Sequence, residues 1–328
     1  MVMTETGSRP IAGIVFILVG TIGFSVNDVL LKFLSRAYPL HEMTFIRALI
    51  ALFFCLVLVR LEGGWGLLRT RRPGLHLLRV TMVVVSNLTY FAALASLPLG
   101  EATAIFFVAP LLITLVGIPL LGEKAGPLRL GAVVAGLLGV VIVVQPWAGG
   151  AARDAPWYIY LLPLAGAFTY AINQILTRRL GAVSRASAMA VYIQLAFLVV
   201  SLGFWAVAGD GRFARGLEDP SLLFVLRAWA WPEGRDVWLF LALGVNSALI
   251  GYCMAQAYRS ADAGAVAPFE YVGLPLAVFW GWTIWADLPT PVEMAGIALI
   301  LGAGLFVFLR ERQQGRRLAA LRQAPPRY

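Results

Sequence analysis

The chain has few charged residues, few histidines and few cysteines, and each shortage excludes a class of protein. Only 13% of its 328 residues are charged, whereas 60% are hydrophobic. A soluble domain carries about a quarter charged residues, so the composition excludes a soluble globular enzyme and a disordered chain. Cys55 and Cys253 are the only cysteines, and both lie in apolar stretches. This excludes a disulfide-rich secreted domain and indicates buried thiols that act as small apolar side chains.

Motifs that carry enzymatic or metal chemistry are also missing. The sequence has no Walker A loop, which argues against an ATP-driven pump, and no serine in a nucleophile elbow. His41 and His76 are the only histidines, and neither has a metal ligand four residues further along. The sequence therefore predicts a protein that is not an enzyme and that needs no cofactor and no metal.

Long apolar runs dominate what is present. Each run is long enough, or nearly so, to cross a bilayer as a helix, in which a backbone surrounded by lipid satisfies its own hydrogen bonds. Arg47 and Glu270 are single charges inside two of the runs. The pattern predicts an all-α polytopic membrane protein with ten transmembrane helices. The predicted spans are residues 10–27, 43–59, 80–100, 102–121, 130–147, 157–177, 186–208, 237–258, 263–286 and 294–309.

Basic residues predict the orientation of these spans. If the N-terminus is cytoplasmic, 18 Lys and Arg residues fall on the cytoplasmic side and seven on the other. Basic loops favour the cytoplasm, so both termini are predicted there, with the chain in the cytoplasmic (inner) membrane. These loops and the basic tail at 311–328 explain the net charge of +9, so the expected partner is the lipid bilayer and not nucleic acid.

The longest loop, residues 209–236, then lies outside the cell. Its stretch 221–231 mixes leucine, phenylalanine and tryptophan with one arginine. Such a composition favours a segment lying flat at the membrane interface, and a plain connecting loop is the alternative.

The two halves of the sequence resemble each other. Asn27 in the first span matches Asn173 in the sixth, 146 residues later. Tyr90 in the third span matches Tyr252 in the eighth, 162 residues later. Because each half holds an odd number of spans, the second half enters the membrane from the opposite side. Two inverted five-helix repeats are therefore predicted, an arrangement typical of transporters with one central site. The repeats cover residues 11–147 and 157–310.

Small residues predict where two helices approach each other closely. They recur at corresponding places in the fifth and tenth spans, and small side chains allow helix backbones to pack tightly in lipid. The matched residues are Ala132, Gly136 and Gly139 in the fifth span and Ala295, Gly296 and Gly302 in the tenth.

The chain resembles the EamA-type transporters of the drug/metabolite transporter superfamily over about residues 11–312. The resemblance rests on residues 92–131, which read AALASLPLGEATAIFFVAPLLITLVGIPLLGEKAGPLRLG, and on their counterpart at 255–296. The pair Gly122–Glu123, followed by a new helix, is typical of this family. The resemblance implies ten helices in two five-helix repeats, alternating access and no ATP hydrolysis.

Shorter segments look most like the S-adenosylmethionine uptake branch of that family. They are SVNDVLLK at residues 25–32, Phe45–Ile46–Arg47, the spacing of Arg72, Pro73, His76 and Arg79, and Pro268–Phe269–Glu270–Tyr271.

Polar and aromatic residues at helical spacing predict one inward face on each helix. Phe24, Asn27 and Asp28 share such a face, since residues at i, i+3 and i+4 lie together. Polar groups at this depth face the bundle interior, either to bind a substrate or to form hydrogen bonds between helices. The predicted substrate-binding residues are Phe24, Asn27, Asp28, Arg47, Asn87, Tyr90, Phe106, Tyr170, Asn173, Gln174, Tyr252, Gln256, Glu270 and Tyr271.

Charged residues inside the spans lead to two further predictions. Asp28 and Arg47 fall at similar depth in neighbouring antiparallel helices, which predicts an ion pair because a lone charge in the membrane is costly. Glu270 has no basic residue assigned to its depth, which predicts a carboxyl group that holds its proton. Such a group suits proton coupling or recognition of a cationic substrate.

Together these features predict a secondary transporter that moves a small organic metabolite by alternating access, coupled to protons or by exchange. Aromatic rings and amides suit a partly aromatic or cationic metabolite such as S-adenosylmethionine. The alternatives are an exporter of amino acids or drug-like compounds, a membrane-embedded lipid enzyme and a channel. The enzyme would need clustered acids or histidines at one membrane face, and the channel a filter loop.

Overall fold

The computed structural model describes residues 10–121, 126–147, 155–181, 184–260 and 267–323, and all regular elements in these ranges are helical. Gly122 and Glu123 lie outside the described residues. Short 3-10 segments occur at Trp65–Leu68, Trp157–Tyr160, Arg212–Ala214 and Ala267–Val272. The α-helices of the described ranges are α1 (Pro10–Leu34), α2 (Leu40–Glu62), α3 (Pro73–Leu94), α4 (Leu99–Phe106), α5 (Ala109–Leu121), α6 (Pro127–Val144), α7 (Leu161–Gly181), α8 (Ala186–Ala208), α9 (Pro220–Leu226), α10 (Asp236–Ser260), α11 (Gly273–Trp285) and α12 (Pro291–Gln323).

Eight helical stretches of the described chain are long and apolar enough to cross a membrane. The all-α membrane architecture predicted from the sequence is therefore confirmed. The other two expected spans are shorter, with an apolar helix at Leu130–Val144 and the 13-residue helix α11. The count of ten stays a prediction.

Two spans predicted as continuous helices are broken. The span 102–121 stops at Phe106 and restarts at Ala109. Pro110, the second residue of α5, has no amide hydrogen to continue a helix but fits well in a first turn. The span 263–286 likewise divides into the 3-10 segment Ala267–Val272 and α11, whose third residue is Pro275.

Several helices run beyond the uncharged stretches that predicted them. Helix α3 begins at Pro73, seven residues before the predicted start, and so includes Arg79. Helix α12 continues to Gln323, so most of the predicted basic tail is helical. A charge ends an apolar run in the sequence but does not end a helix, because backbone hydrogen bonds continue past it.

Five helix pairs join the two halves of the chain. Helix α1 packs on α10 as α7 packs on α3, α2 packs on α8, α6 packs on α12, and α4 packs on α11. The backbones of α6 and α12 lie close together at Gly139 and Gly296, where an added Cβ on Gly139 would lie 2.9 Å from the carbonyl oxygen of Gly296. An added Cβ on Gly136 would lie 3.6 Å from Ala303 Cβ of α12, whereas Gly302 faces open space. The predicted close packing therefore holds for three of the four glycines and not for Gly302.

Segment 209–235 covers one end of the bundle, called here the capped end; the opposite end, where α12 terminates, is called the tail end. Phe224 of α9 is 1% exposed, and the hydroxyl groups of Ser221 and Ser96 lie 2.6 Å apart. The Arg227 guanidinium donates to the carbonyl oxygens of Ser35 and Arg36, and its burial lowers its pKa. The segment thus packs on the helix ends, and whether it lies flat at the membrane interface stays a prediction.

Candidate functional site

A cavity of about 350 Å³ lies at the centre of the helix bundle. Helices from both halves line it, and this volume lies in the range of small-molecule sites. Four of the helix pairs that join the two halves surround it: α1–α10, α2–α8, α3–α7 and α4–α11. The sequence-predicted residues that line it are Phe24, Asn27, Asp28, Arg47, Asn87, Tyr90, Phe106, Tyr170 and Glu270.

Both helix breaks lie at this cavity. Phe107 and Pro110 line it at the first break, and Glu270 and Gly273 line it at the second. An added Cβ on Gly273 would lie 3.1 Å from the Phe107 ring, so the two breaks pack against each other. Interrupted helices free backbone groups from their ladder, and membrane transporters use such groups at substrate sites.

Asp28 is held at the cavity by neighbouring polar groups. The Tyr90 hydroxyl donates to Asp28 Oδ2 over 3.0 Å and lies 3.1 Å from Thr103 Oγ1. Asn27, 3% exposed, accepts a hydrogen bond from Ser247 of α10 over 3.4 Å. These contacts join α1, α3, α4 and α10 at one level of the bundle.

A row of aromatic rings continues from Tyr90 across the cavity. The Tyr90 and Phe106 ring centroids lie 4.7 Å apart, and those of Phe106 and Tyr170 lie 5.5 Å apart. The rings are tilted against each other, the favourable arrangement for aromatic pairs. Gln174 donates to the Tyr170 hydroxyl over 2.6 Å and so orients that ring. The row forms an apolar wall that one flat ring can face.

Arg47 lies between two aromatic rings. Its guanidinium carbon lies 5.3 Å from the Phe91 centroid and 5.4 Å from the Phe197 centroid, within the range of cation–π attraction. Its Nη2 donates to Asn87 Oδ1 over 3.4 Å. The rings and the Asn87 amide do not use all the N–H groups of the guanidinium, so the remaining N–H groups can donate hydrogen bonds at the cavity.

The predicted Asp28–Arg47 ion pair is wrong as a direct contact. In the described part of the chain no carboxylate oxygen lies within 4 Å of Arg47. The two groups line the same cavity and attract each other over a longer distance, but Tyr90 contacts the acid and Asn87 contacts the base. The positions of the two residues within their spans correctly predicted that both charges lie at the same depth. They could not show that polar side chains of α3 contact each charge.

Glu270 is at the cavity, and the prediction that its carboxyl group holds its proton stays a prediction. Its carboxylate interacts electrostatically with the hydroxyl groups of Tyr170 and Tyr271, and it has further polar or electrostatic contacts. It lies in the 3-10 segment Ala267–Val272 and not inside a continuous helix.

Five predicted site residues do not line this cavity. Gln174 supports Tyr170, and Asn173 is buried in α7 one turn further towards the tail end. Tyr252 is 41% exposed and accepts a hydrogen bond from Gln256 over 3.3 Å. Tyr271 packs against Phe107 and comes close to Gly304 of α12. Helical spacing placed these residues on a common face, but the rotation of each helix decides which part of that face reaches the cavity.

Several cavity residues were not predicted. Ser25, Ser86, Gln194, Phe197 and Ser247 line it. Gln194 is the only amide in the apolar run of α8, and Phe197 follows it at i+3. That spacing was a usable signal, because an amide deep in a span rarely faces lipid.

Comparison with known proteins agrees with this architecture. The EamA-like transporter family matches residues 11–145. A protein of Rhizobium johnstonii named riboflavin transporter is 30% identical over 95% of this chain and 96% of its own length. A Rickettsia felis protein named S-adenosylmethionine uptake transporter is 24% identical over 95% of this chain and 97% of its own length.

A solved crystal structure shares the fold. It covers 92% of this chain and 98% of its own chain, with a TM-score of 0.61 at 22% identity. Together with the central cavity and the helix pairs that join the two halves, these similarities show that the chain belongs to the EamA-like transporter family and is a membrane transporter, not an enzyme.

Proposed function

We propose that the protein is a secondary transporter that moves a flat, polar, ring-bearing metabolite across the inner membrane by alternating access. A flavin of the riboflavin type is the first candidate. The observation that carries this proposal is the pairing of an aromatic wall, Tyr90–Phe106–Tyr170, with hydrogen-bonding groups at one cavity. A flat ring can stack on the wall while its polar edge meets Arg47 and Asn87.

The relatives support the same substrate class. The relative named riboflavin transporter is more similar to this chain, at 30% identity, than the one named S-adenosylmethionine uptake transporter, at 24%. Asp28 and Glu270 at the cavity favour S-adenosylmethionine as the second candidate, because a carboxylate attracts a sulfonium or ammonium group. Both candidates combine a flat heterocycle with a polar chain.

The paired helices support alternating access. Corresponding helix pairs join the two halves around the cavity, but the halves are packed unequally, since α2 packs on α10 more extensively than α8 packs on α3. A second state can form when the two halves exchange these unequal contacts around the cavity. In this proposal both termini are cytoplasmic, the repeats cover residues 11–147 and 157–310, and the nine cavity residues named above contact the substrate.

Counterflow into proteoliposomes tests the proposal. Vesicles that hold the purified protein and unlabelled riboflavin should accumulate labelled riboflavin with saturation. Parallel vesicles loaded with S-adenosylmethionine measure the second candidate. The variant Arg47→Gln should lose most of the exchange, and Arg215→Gln, at an exposed position in segment 209–235, should keep it. Exchange of neither compound by a correctly folded protein would contradict both candidates, and non-saturating flux would indicate a channel.

A further inference from the structure

A second group of buried polar side chains lies at the tail end, away from the cavity. His76 and Arg79 occupy the first two turns of α3, and they are 4% and 5% exposed. The His76 ring packs edge-on against Tyr192 of α8, with centroids 4.8 Å apart. The transport site proposed above uses none of these residues.

Arg79 holds a buried positive charge among neutral groups. Its Nε donates to Thr177 Oγ1 of α7 over 2.7 Å, and its Nη1 donates to the carbonyl oxygen of Met189 in α8 over 3.2 Å. Within the described residues, no carboxylate lies within 4 Å of its guanidinium. A buried cation is costly unless an anion compensates it, and both partners observed here are neutral.

The surrounding groups have unused hydrogen-bonding capacity. His76 Nε2 lies 3.1 Å from Ser184 Oγ, while its Nδ1 is buried without a hydrogen-bond partner among the described residues. In the same part of the chain, the buried hydroxyl of Ser187, 5% exposed, also has none. Ser187 lies in the first turn of α8, which begins at Ala186 and is 23 residues long. The first turn of a helix presents amide hydrogens and a partial positive charge.

We propose that His76, Arg79, Ser187 and the first turn of α8 form a binding site for an oxyanion of the phosphate class. A guanidinium, a ring nitrogen that can carry a hydrogen, a hydroxyl and a helix N-terminus all favour a negatively charged oxygen. A bound phosphate group would neutralise the buried charge of Arg79. It would also form hydrogen bonds with His76 Nδ1 and with the Ser187 hydroxyl. It would also link α3, α7 and α8, which carry Tyr90, Tyr170 and Phe197 of the cavity.

Two sources can supply this chemistry. The first two turns of a membrane-spanning helix lie near the level of lipid headgroups, where a phospholipid presents its phosphate. Inorganic phosphate or a soluble phosphate ester can reach the same end from the aqueous phase. The site does not depend on which metabolite the cavity carries.

The test measures thermal unfolding of the full chain in micelles of an alkyl glycoside, a detergent that contains no phosphate. In these micelles, inorganic phosphate is compared with chloride at equal ionic strength. In a second series without inorganic phosphate, phosphatidic acid is added to the micelles. At saturation, phosphate or phosphatidic acid should raise Tm by roughly 2–4 °C or more. Arg79→Gln should abolish the rise and Arg215→Gln should keep it.

The variants His76→Gln and Ser187→Ala keep the buried charge and should weaken binding about tenfold, so the test remains decisive if Arg79→Gln does not fold. A response to both probes supports a site open to either source, and a response to phosphatidic acid alone identifies the lipid headgroup. The proposal is overturned if neither probe stabilises the wild type more than chloride does. An equal response of wild type, His76→Gln and Ser187→Ala would also overturn it.

Discussion

Tyr90 and Tyr252 occupy matching positions in the two halves of the sequence, but their surroundings differ. Tyr90 is 7% exposed and donates a hydrogen bond to Asp28 at the cavity, whereas Tyr252 is 41% exposed and accepts a hydrogen bond from Gln256. The matching of the two halves predicted from the sequence therefore pairs residues of one type whose contacts differ. This pair supplies a matched comparison for the transport site.

We expect Tyr90→Phe to reduce counterflow roughly tenfold or more, because a hydrogen bond to a charged group contributes about 1.5–3 kcal/mol. The ring, and its packing against Phe106, would remain. Tyr252→Phe removes the same hydroxyl outside the cavity and should leave counterflow unchanged. Initial rates at several substrate concentrations measure both. Equal losses in the two variants would mean that Tyr90 has no special role.

A second single-residue test asks whether Glu270 couples transport to protons. If its carboxylate exchanges a proton during transport, the wild-type rate should change several-fold between about pH 5.5 and about pH 8. Glu270→Gln keeps the shape, removes the ionisation and should flatten this profile to within roughly twofold. Glu218→Gln, at an exposed position of segment 209–235, is the control. A Gln variant with the wild-type profile would exclude Glu270 as the coupling group.

At the scale of elements, the two interrupted helices carry the site. Both breaks, Phe107–Val108 and Ala267–Val272, bring backbone and side chains to the cavity, and each new helix has a proline in its first turn. The prolines were visible in the sequence. Their effect was not, because proline is accepted within a membrane helix when neighbouring helices satisfy the freed groups.

The α6–α12 pair depends on a close backbone contact. An added Cβ on Gly139 would lie 2.9 Å from the carbonyl oxygen of Gly296, so Gly139→Ala should force the helices apart and cost about 1–3 kcal/mol. Gly302→Ala, which meets open space in α12, should keep or raise Tm, since alanine favours a helix over glycine. Thermal unfolding in detergent measures both variants. A Gly139→Ala protein as stable as the wild type would show that the contact can relax.

At the scale of the whole molecule, the capped end carries the orientation test. Ser221 is 3% exposed, so a cysteine placed there would resist labelling whichever side it faces. Glu218 in the same segment is exposed, as is Gln313 near the tail end. The native cysteines, Cys55 and Cys253, are buried and should not interfere.

With both termini in the cytoplasm, Glu218→Cys should react with an impermeant maleimide in intact cells. Gln313→Cys should react only after permeabilisation, because the membrane separates the reagent from the tail end. Ser221→Cys should react poorly in both conditions. The reverse pattern at Glu218 and Gln313 would invert the predicted topology.

The sequence by itself determined the membrane class, the helical architecture and the family. These follow from local properties of the sequence. The length of an apolar run predicts a membrane span, and residues 92–131 carry the family pattern independently of how the helices pack. It also identified nine cavity residues, from Phe24 to Glu270, because polar and aromatic groups deep in a span rarely face lipid.

Only the tertiary structure decided how these groups meet. In the structure Asp28 contacts Tyr90 and Arg47 contacts Asn87, so the two charges do not meet directly. Tyr252 lies outside the cavity, and segment 209–235 packs on the helix ends. Arg79 is buried among neutral partners. Each outcome depends on the rotation and crossing of helices distant in sequence, which side-chain packing sets and helical periodicity does not contain.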